Sequence, residues 1–400
     1  MDYTKAVPER IRKWVPTRRS TLAPLIRGVT EDVVSLDRGD VGFVTPEHIR
    51  EAAKEAIDAG HTRYAYLPEL RQAISEKLWR DNGIQADPDR EIIVTCGCKG
   101  ILSQTFTTLV DRWDEVIVGT PGYYDYHGSM QFHHVDPVRV PLREERGFRI
   151  DPDEIAAAIT PCTKIIALTT PEGPAGAVLP QADLERIAEI AQRHDVLVMS
   201  DEIYEKINFG QTPHFSIGSL PGMGERTITI NGFSKGYAMT GWRVGYAVMP
   251  EHLMPAMQKV TALNTIWLNT IAQYAAIAAC RGPEEPIQEM VAEYKRRMQI
   301  LVDELNAIEG IRCLFPEGTY YAWANIASFG LSSDDFARHA LLSDRVKVQP
   351  GTTFGEGGEG YIRVSCSQSE EEMREGLRRL KNAVATLASS GPILSLPELE

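Results

Sequence analysis

"NGFSKGYAMTGWRVGY", Asn231 to Tyr246, sets one lysine, Lys235, among small and hydroxyl residues, with Arg243 further along. The stretch joins "RTITIN" (226–231) to "VGYAVM" (244–249), two β-branched, apolar runs that read as buried strands. A lysine on a solvated face ordinarily has charged neighbours; this one reads as held inside for a purpose. A buried amine favours its neutral form, which can attack a carbonyl carbon.

Five further runs precede it: "EIIVTC" (91–96), "DEVIVGT" (114–120), "HHVDPVRVP" (133–141), "KIIALTT" (164–170) and "VLVMS" (196–200). From Pro46 to Arg281 these alternate with helical patterns, such as Ala182–Arg193 with Leu184, Ile187, Ala188 and Ala191 on one face. Nearly continuous apolar strands between helices predict an α/β domain whose mostly parallel seven-stranded sheet is covered by helices. After "RGPEEP" the pattern changes. A long helix carries Ile287, Val291, Tyr294, Met298, Leu301 and Leu305, short strands follow in "TYYAWANI", "RVKVQP" and "YIRVSC", and a last helix carries Met373, Leu377, Leu380 and Val384. Ser369 and Glu372 have capping-box spacing at its start. The expected organisation is a large domain over 46–282, a smaller α+β domain over 283–390 joined by the segment 1–45, and a tail over 391–400.

Bulk properties exclude several partners. A net charge of −13 argues against nucleic acid, whose phosphates need a basic footprint. The N-terminus "MDYTKAVPERIRKWVPTRRS" has no apolar core segment, and "TIWLNTIAQYAAIAAC" is interrupted by Asn and Gln, so neither a secretory signal nor a membrane span is expected. A cytoplasmic location follows as the default. Of the cysteines, only Cys96 and Cys98 are close together, so zinc and disulfides are not expected. His133 and His134 adjoin an apparent strand, where neighbours point to opposite faces and would not share a metal.

Four features carry chemistry. In "VTCGCKG" a strand ends in a glycine turn that opens a helix, so the amides of Gly97, Cys98 and Lys99 suit a phosphate. Asp201 in "VLVMSDEIYE" lies at the C-terminal end of a buried strand, where open α/β sheets bind ligands, and needs a cationic or hydrogen-bonding partner. Ser234 and Arg243 flank Lys235 and suit a phosphate beside an imine-forming amine. Arg363 in "YIRVSC" offers a fork for a carboxylate. Alone, the first reads equally as an ordinary turn, the second as a structural salt bridge or cap, and the fourth as a structural ion pair. Together they describe an enzyme that uses pyridoxal 5′-phosphate on amino acids.

In order and spacing these motifs resemble the class I/II aminotransferases of fold type I, over nearly the whole chain. "SKGYAMTGWRVGYA" (234–247) is the most specific part, with "SDEIYE" (200–205), "VKVQPGTTFG" (346–355) and the Arg363 strand in family order. The resemblance implies that Lys235 is the Schiff-base lysine, which also moves a proton at the substrate Cα, and that Asp201 keeps the pyridine nitrogen protonated. It implies that Tyr204 bonds the cofactor's phenolic oxygen and that Gly97, Cys98, Lys99, Ser234 and Arg243 hold the phosphate. Tyr123 would stack on the ring, Gly39 and Arg363 would bind the substrate carboxylate, and Tyr64 would reach a neighbouring subunit's phosphate in a homodimer with shared sites.

The sequence departs from the family in three places. Gly173 in "TTPEGPAGAVLP" stands where an asparagine ordinarily donates to the phenolic oxygen, and "LDRGDVGF" replaces the commoner "G-E-P-D-F". The loop "RYAYLPELR" is shorter than usual, which leaves Tyr64 and Tyr66 as alternatives. The expected activity is ping-pong transfer of an amino group between an L-amino acid and a 2-oxo acid. The alternative keeps fold and cofactor for elimination, replacement or cyclisation, which use the same carbanion. Tyr123, Tyr124 and Tyr126 would suit an aromatic or amphipathic substrate side chain. A regulator would need a DNA-binding domain, a pseudoenzyme would have lost Lys235 or Asp201, and "FGEGGEG" (354–360) lacks a P-loop ending and reads as a surface turn.

Overall fold

The computed structural model describes Val7 and residues 32–135, 137–265 and 267–395. The expected N-terminal segment before Asp32 (Val7 apart) and the last five residues of the expected tail lie outside the described residues. β1 (Val34–Ser35) precedes α1 (Glu47–Asp58) and α2 (Pro68–Asn82). The alternating region runs β2 (Ile92–Thr95), α3 (Cys98–Leu109), β3 (Glu115–Thr120), α4 (Tyr124–Phe132), β4 (Pro137–Pro141), α5 (Pro152–Ala158), β5 (Thr163–Thr169), α6 (Gln181–His194) and β6 (Leu197–Asp201). It closes with β7 (Thr227–Gly232), β8 (Gly245–Val248), α7 (Met254–Asn264) and α8 (Thr270–Arg281).

All seven expected strands join one sheet in the order β2-β8-β7-β6-β5-β3-β4. Only β8 runs against its neighbours; the pairs from β7 to β4 are parallel. Side chains alternate between two cores, as the period of a strand requires. Ile117, Ile166, Leu168 and Val198 face α6 through Leu184, Ile187 and Ala188. Val116, Val118, Ile165, Ala167 and Met199 face α3 through Ile101, Leu102 and Phe106. Burial on both faces explains the continuous apolar runs.

The remaining chain forms α9 (Glu285–Asn306), β9 (Arg312–Cys313), β10 (Tyr321–Asn325), α10 (Ser333–Asp344), β11 (Val346–Lys347), β12 (Gln349–Pro350), β13 (Tyr361–Ser365) and α11 (Glu370–Ser390). Its antiparallel sheet has the order β12-β13-β10-β9, and β1 adds to β11 in parallel. Leu36 packs in the same core as Tyr294, Met298, Leu301, Leu377 and Leu380, so the segment after β1 is built into this layer. α9 ties the layers together: Ile287 packs with α8, whereas Met298 and Leu305 lie in the second core. The Ser369 side chain accepts from the Glu372 amide at 3.2 Å, the cap that the spacing predicts.

Two expectations need correction. His133 and His134 end α4 in a turn rather than entering β4, so the opposite-face argument does not apply to them. The start of the expected tail is docked rather than appended, since the Ile393 amide donates to His339 Nδ1 at 3.0 Å.

Candidate active site

β3, β5, β6 and β7 finish on one edge of the sheet, and β2, antiparallel to β8, finishes there too. Every expected site residue except Gly97, Tyr126 and the alternatives Tyr64 and Tyr66 lines one cavity of about 410 Å³ on this edge. A larger open hollow of about 1340 Å³ lies where β5, β6 and β7 begin. Volume alone does not choose between them; ligands of open α/β sheets bind beyond the carboxyl ends of strands.

The β2–α3 turn is shaped by two close approaches. Gly97 has φ 76°, and a Cβ on it would stand 2.6 Å from Arg243 Nη2. A Cβ on Gly245 would meet the Cys98 amide nitrogen at 2.4 Å. The loop can therefore lie flat against β8, with the first amides of α3 and the Arg243 guanidinium converging. Helix-initial amides have no intrahelical acceptor, which makes this a cradle for an anion.

Asp201 is the last residue of β6 and is buried. Its carboxylate accepts from Tyr126 Oη at 3.0 Å and from the Ile203 amide at 3.2 Å. Among the described residues no cation pairs with it. Burial pushes its pKa up to about 6, against the downward pull of the Ile203 amide and Tyr126. Tyr126 thus faces the aspartate, not a substrate side chain as the sequence suggested.

Lys235 is half-buried rather than enclosed, at the cavity wall. Its Nζ donates to the Gly39 carbonyl at 2.7 Å and to Tyr320 Oη at 2.9 Å. Arg363 lies in β13 with its guanidinium 4.0 Å from the Tyr321 ring centre. It donates to the Asp37 carbonyl at 3.0 Å, but the Asp37 carboxylate is taken by Lys347 at 2.7 Å. Arg363 Nε is buried without a partner, and among the described residues no carboxylate pairs with this side chain. Such a fork suits an incoming carboxylate.

Tyr123 donates to Asp125 at 2.6 Å, and Lys99 Nζ pairs with the same carboxylate at 3.0 Å. Tyr204 is buried and its hydroxyl lies 3.3 Å from that of Tyr321; burial raises its pKa well above the ordinary phenol value. At Gly173 an added Cβ would be 3.8 Å from Tyr204 and 3.9 Å from Tyr321, so the place of the family's asparagine is bordered by two tyrosines. Tyr64 is 76 % exposed and lies outside the cavity, whereas Tyr66 is engaged by Asp89 and Arg71.

Sequence reasoning missed Asp125, Tyr320 and Tyr321, and assigned Tyr126 to the wrong neighbour. The only signal was indirect: "TYYAWANI" places adjacent tyrosines in an apolar run, and a buried phenol needs a polar partner, but nothing in the run says which one.

The family profile described as "Aminotransferase class I and II" matches residues 31–380. The chain belongs to that family. An aspartate aminotransferase of Pyrococcus abyssi and an aromatic-amino-acid aminotransferase of Thermococcus litoralis are each 38% identical to it over 384 residues, covering 95% of this chain and 98% of the relative. The crystal structure of an aromatic aminotransferase from Pyrococcus horikoshii superposes with a TM-score of 0.87 at 38% identity, covering 91% of this chain and 99% of that one. This aminotransferase thus shares fold and length with relatives named for acidic and for aromatic substrates. Among the described residues no helix is long and apolar enough to cross a membrane.

Proposed function

We propose that this aminotransferase holds pyridoxal 5′-phosphate in the 410 Å³ cavity and moves an amino group between an L-amino acid and a 2-oxo acid in two half-reactions. One observation carries the reading: Asp201, with no cation among the described residues, and Arg363, with no carboxylate among them, line the same cavity as the Lys235 amine. A buried charge without a counter-charge is costly, and both would be satisfied by ligand groups of opposite sign. When bound, the cofactor supplies an electron sink for the carbanion at the substrate Cα.

The chain's residues then divide the work. Asp201 would pair with a protonated ring nitrogen, and Tyr126 orients the carboxylate for it. Cys98 and Lys99 amides, with Gly97 shaping their turn and Ser234 and Arg243 beside them, would hold the phosphate. Tyr123 would cover the ring face, fixed by its bond to Asp125. Tyr204 would donate to the phenolic oxygen beside Gly173. Lys235 would carry the covalent link and, when released, take the proton from the substrate Cα. Arg363 would grip the α-carboxylate near Gly39.

The exposed Tyr64 supports a homodimer in which this side chain completes the phosphate site of a second copy. The division into 46–282 and 283–390, with the N-terminal segment joining the latter, suits a substrate held between the two layers. Six unpaired cysteines support a reducing, cytoplasmic location.

The test is the visible spectrum of the purified protein before and after single amino acids are added without an oxo acid, with Lys235→Ala as control. The expected result is conversion to the amine form of the cofactor, reversed by a 2-oxo acid. Release of ammonia with the starting spectrum restored would move the activity to elimination. A wild-type protein that takes up no cofactor would overturn the reading.

A further inference from the structure

We propose that Tyr320 is a positioning residue that aims the Lys235 amine; this rests on Lys235 being the base of the proposed reaction. Tyr320 immediately precedes β10 and is fully buried. Its ring is fixed on three sides by Tyr294, Tyr204 and Tyr321, with ring centres at 5.3, 5.7 and 4.6 Å. The hydroxyl therefore has little freedom, and it lies where the lysine ends.

The hydrogen-bond inventory determines what this contact does. Burial raises the Tyr320 pKa well above the ordinary phenol value, so the phenol keeps its single proton. That proton is donated to the Gly39 carbonyl at 3.0 Å. Toward Lys235 Nζ, 2.9 Å away, the same oxygen is then an acceptor. The Gly39 carbonyl is the second acceptor, at 2.7 Å. A neutral primary amine has two N–H donors and one lone pair. When Lys235 acts as the neutral base of the proposed reaction, these two acceptors engage both donors and direct the lone pair away from Tyr320 and Gly39, the orientation a base needs to receive a proton at a fixed point. A phenylalanine would leave the amine one acceptor and free rotation about its last carbon bond.

Tyr320→Phe removes one oxygen and keeps the packing. The expected result is a kcat about tenfold lower with KM nearly unchanged, as for the loss of one orienting hydrogen bond during proton transfer. The primary isotope effect with α-deuterated amino acid should rise. A readout independent of turnover is the rate at which cofactor-free protein bonds pyridoxal 5′-phosphate covalently, expected to fall several-fold at unchanged final stoichiometry. Tyr294→Phe, which alters the same aromatic stack without touching the amine, should leave all three at wild-type values. The proposal is overturned if Tyr320→Phe matches wild type, if Tyr294→Phe reproduces its defects, or if Tyr320→Phe fails to fold, which would make the hydroxyl structural. Wild-type protein that captures no cofactor would instead sink the underlying reading of Lys235.

Discussion

Two groups of buried charge meet at the end of β6, and neighbouring residues serve them on opposite terms. Glu202 is fully buried and accepts from Ser200 Oγ at 2.9 Å, His214 Nε2 at 3.1 Å and Asn82 Nδ2 at 3.2 Å. Nearby, Glu205 pairs with the buried Lys77 ammonium, which also donates to Asn82 at 2.8 Å. The ligand atoms of Glu202, Glu205 and His214 lie within 4.8 Å of one another, but a metal there would have to displace Lys77. Asp201, one residue earlier, has a phenol and an amide and, among the described residues, no cation. A buried charge with a complete set of partners belongs to the scaffold; one left short of a counter-charge must take up a proton or a ligand of opposite charge.

The largest effect should come from breaking the complete set. Lys77→Met leaves Glu205 buried and unpaired, and is expected to cost about 3–5 kcal/mol of stability. Urea unfolding checks this, and the folded remainder should bind cofactor as wild type does. Unchanged stability would erase the distinction between the two groups.

Glu172 sharpens the comparison because no cation pairs with it among the described residues and it does not line the main cavity. It is buried, its carboxylate accepts among the described residues only from the Ala175 amide at 3.0 Å, and burial pushes its pKa up to about 8. The folded protein thus binds a proton that the unfolded chain releases above its ordinary value of 4.5. This stabilisation is complete below that value and is lost as pH rises toward 8, on the order of 1 kcal/mol per pH unit. Glu172→Gln should flatten the fall and be more stable than wild type at the alkaline end, read by thermal unfolding across pH.

Arg363→Lys probes the incomplete set. A lysine keeps the charge but loses the fork, so KM for the amino acid should rise about tenfold to a hundredfold. Stability should be unchanged or higher, since no carboxylate partner is lost. A stability loss with unaltered KM would assign Arg363 to the scaffold.

The fold was legible because parallel strands buried on both faces write themselves as continuous apolar runs, as in "KIIALTT" and "VLVMS". Lys235, Asp201 and Arg363, which line one cavity, could be picked out because each is a charge within or next to such runs. Tyr320, Tyr321 and Asp125 were not, since tyrosine in a strand reads as packing and Asp125 in a helix's first turn reads as a surface charge. Their roles come from atoms supplied by distant segments, such as the Gly39 carbonyl beside Tyr320. Position in the chain carries no trace of that meeting.

The smallest expected effect belongs to Tyr126, whose one hydroxyl helps keep Asp201 charged. Burial raises the Asp201 pKa to about 6 from 3.8, while the Ile203 amide and Tyr126 restrain the rise. Tyr126→Phe removes one restraint, so the aspartate should protonate at higher pH. In cofactor-free protein the raised pKa stabilises the fold fully below 3.8, and this contribution is lost as pH rises through about 6; the variant should extend that window upward. On the proposed reading, cofactor affinity would depend on the opposite form, because only the carboxylate would pair with a protonated ring nitrogen. Its acidic limb should therefore shift toward neutrality, and affinity near pH 7 should fall by roughly fivefold, the worth of about 1 kcal/mol for one hydrogen bond. Cofactor titrations across pH decide it: a parallel loss at every pH would make Tyr126 a packing residue, whereas a shifted limb places its action on the charge of Asp201.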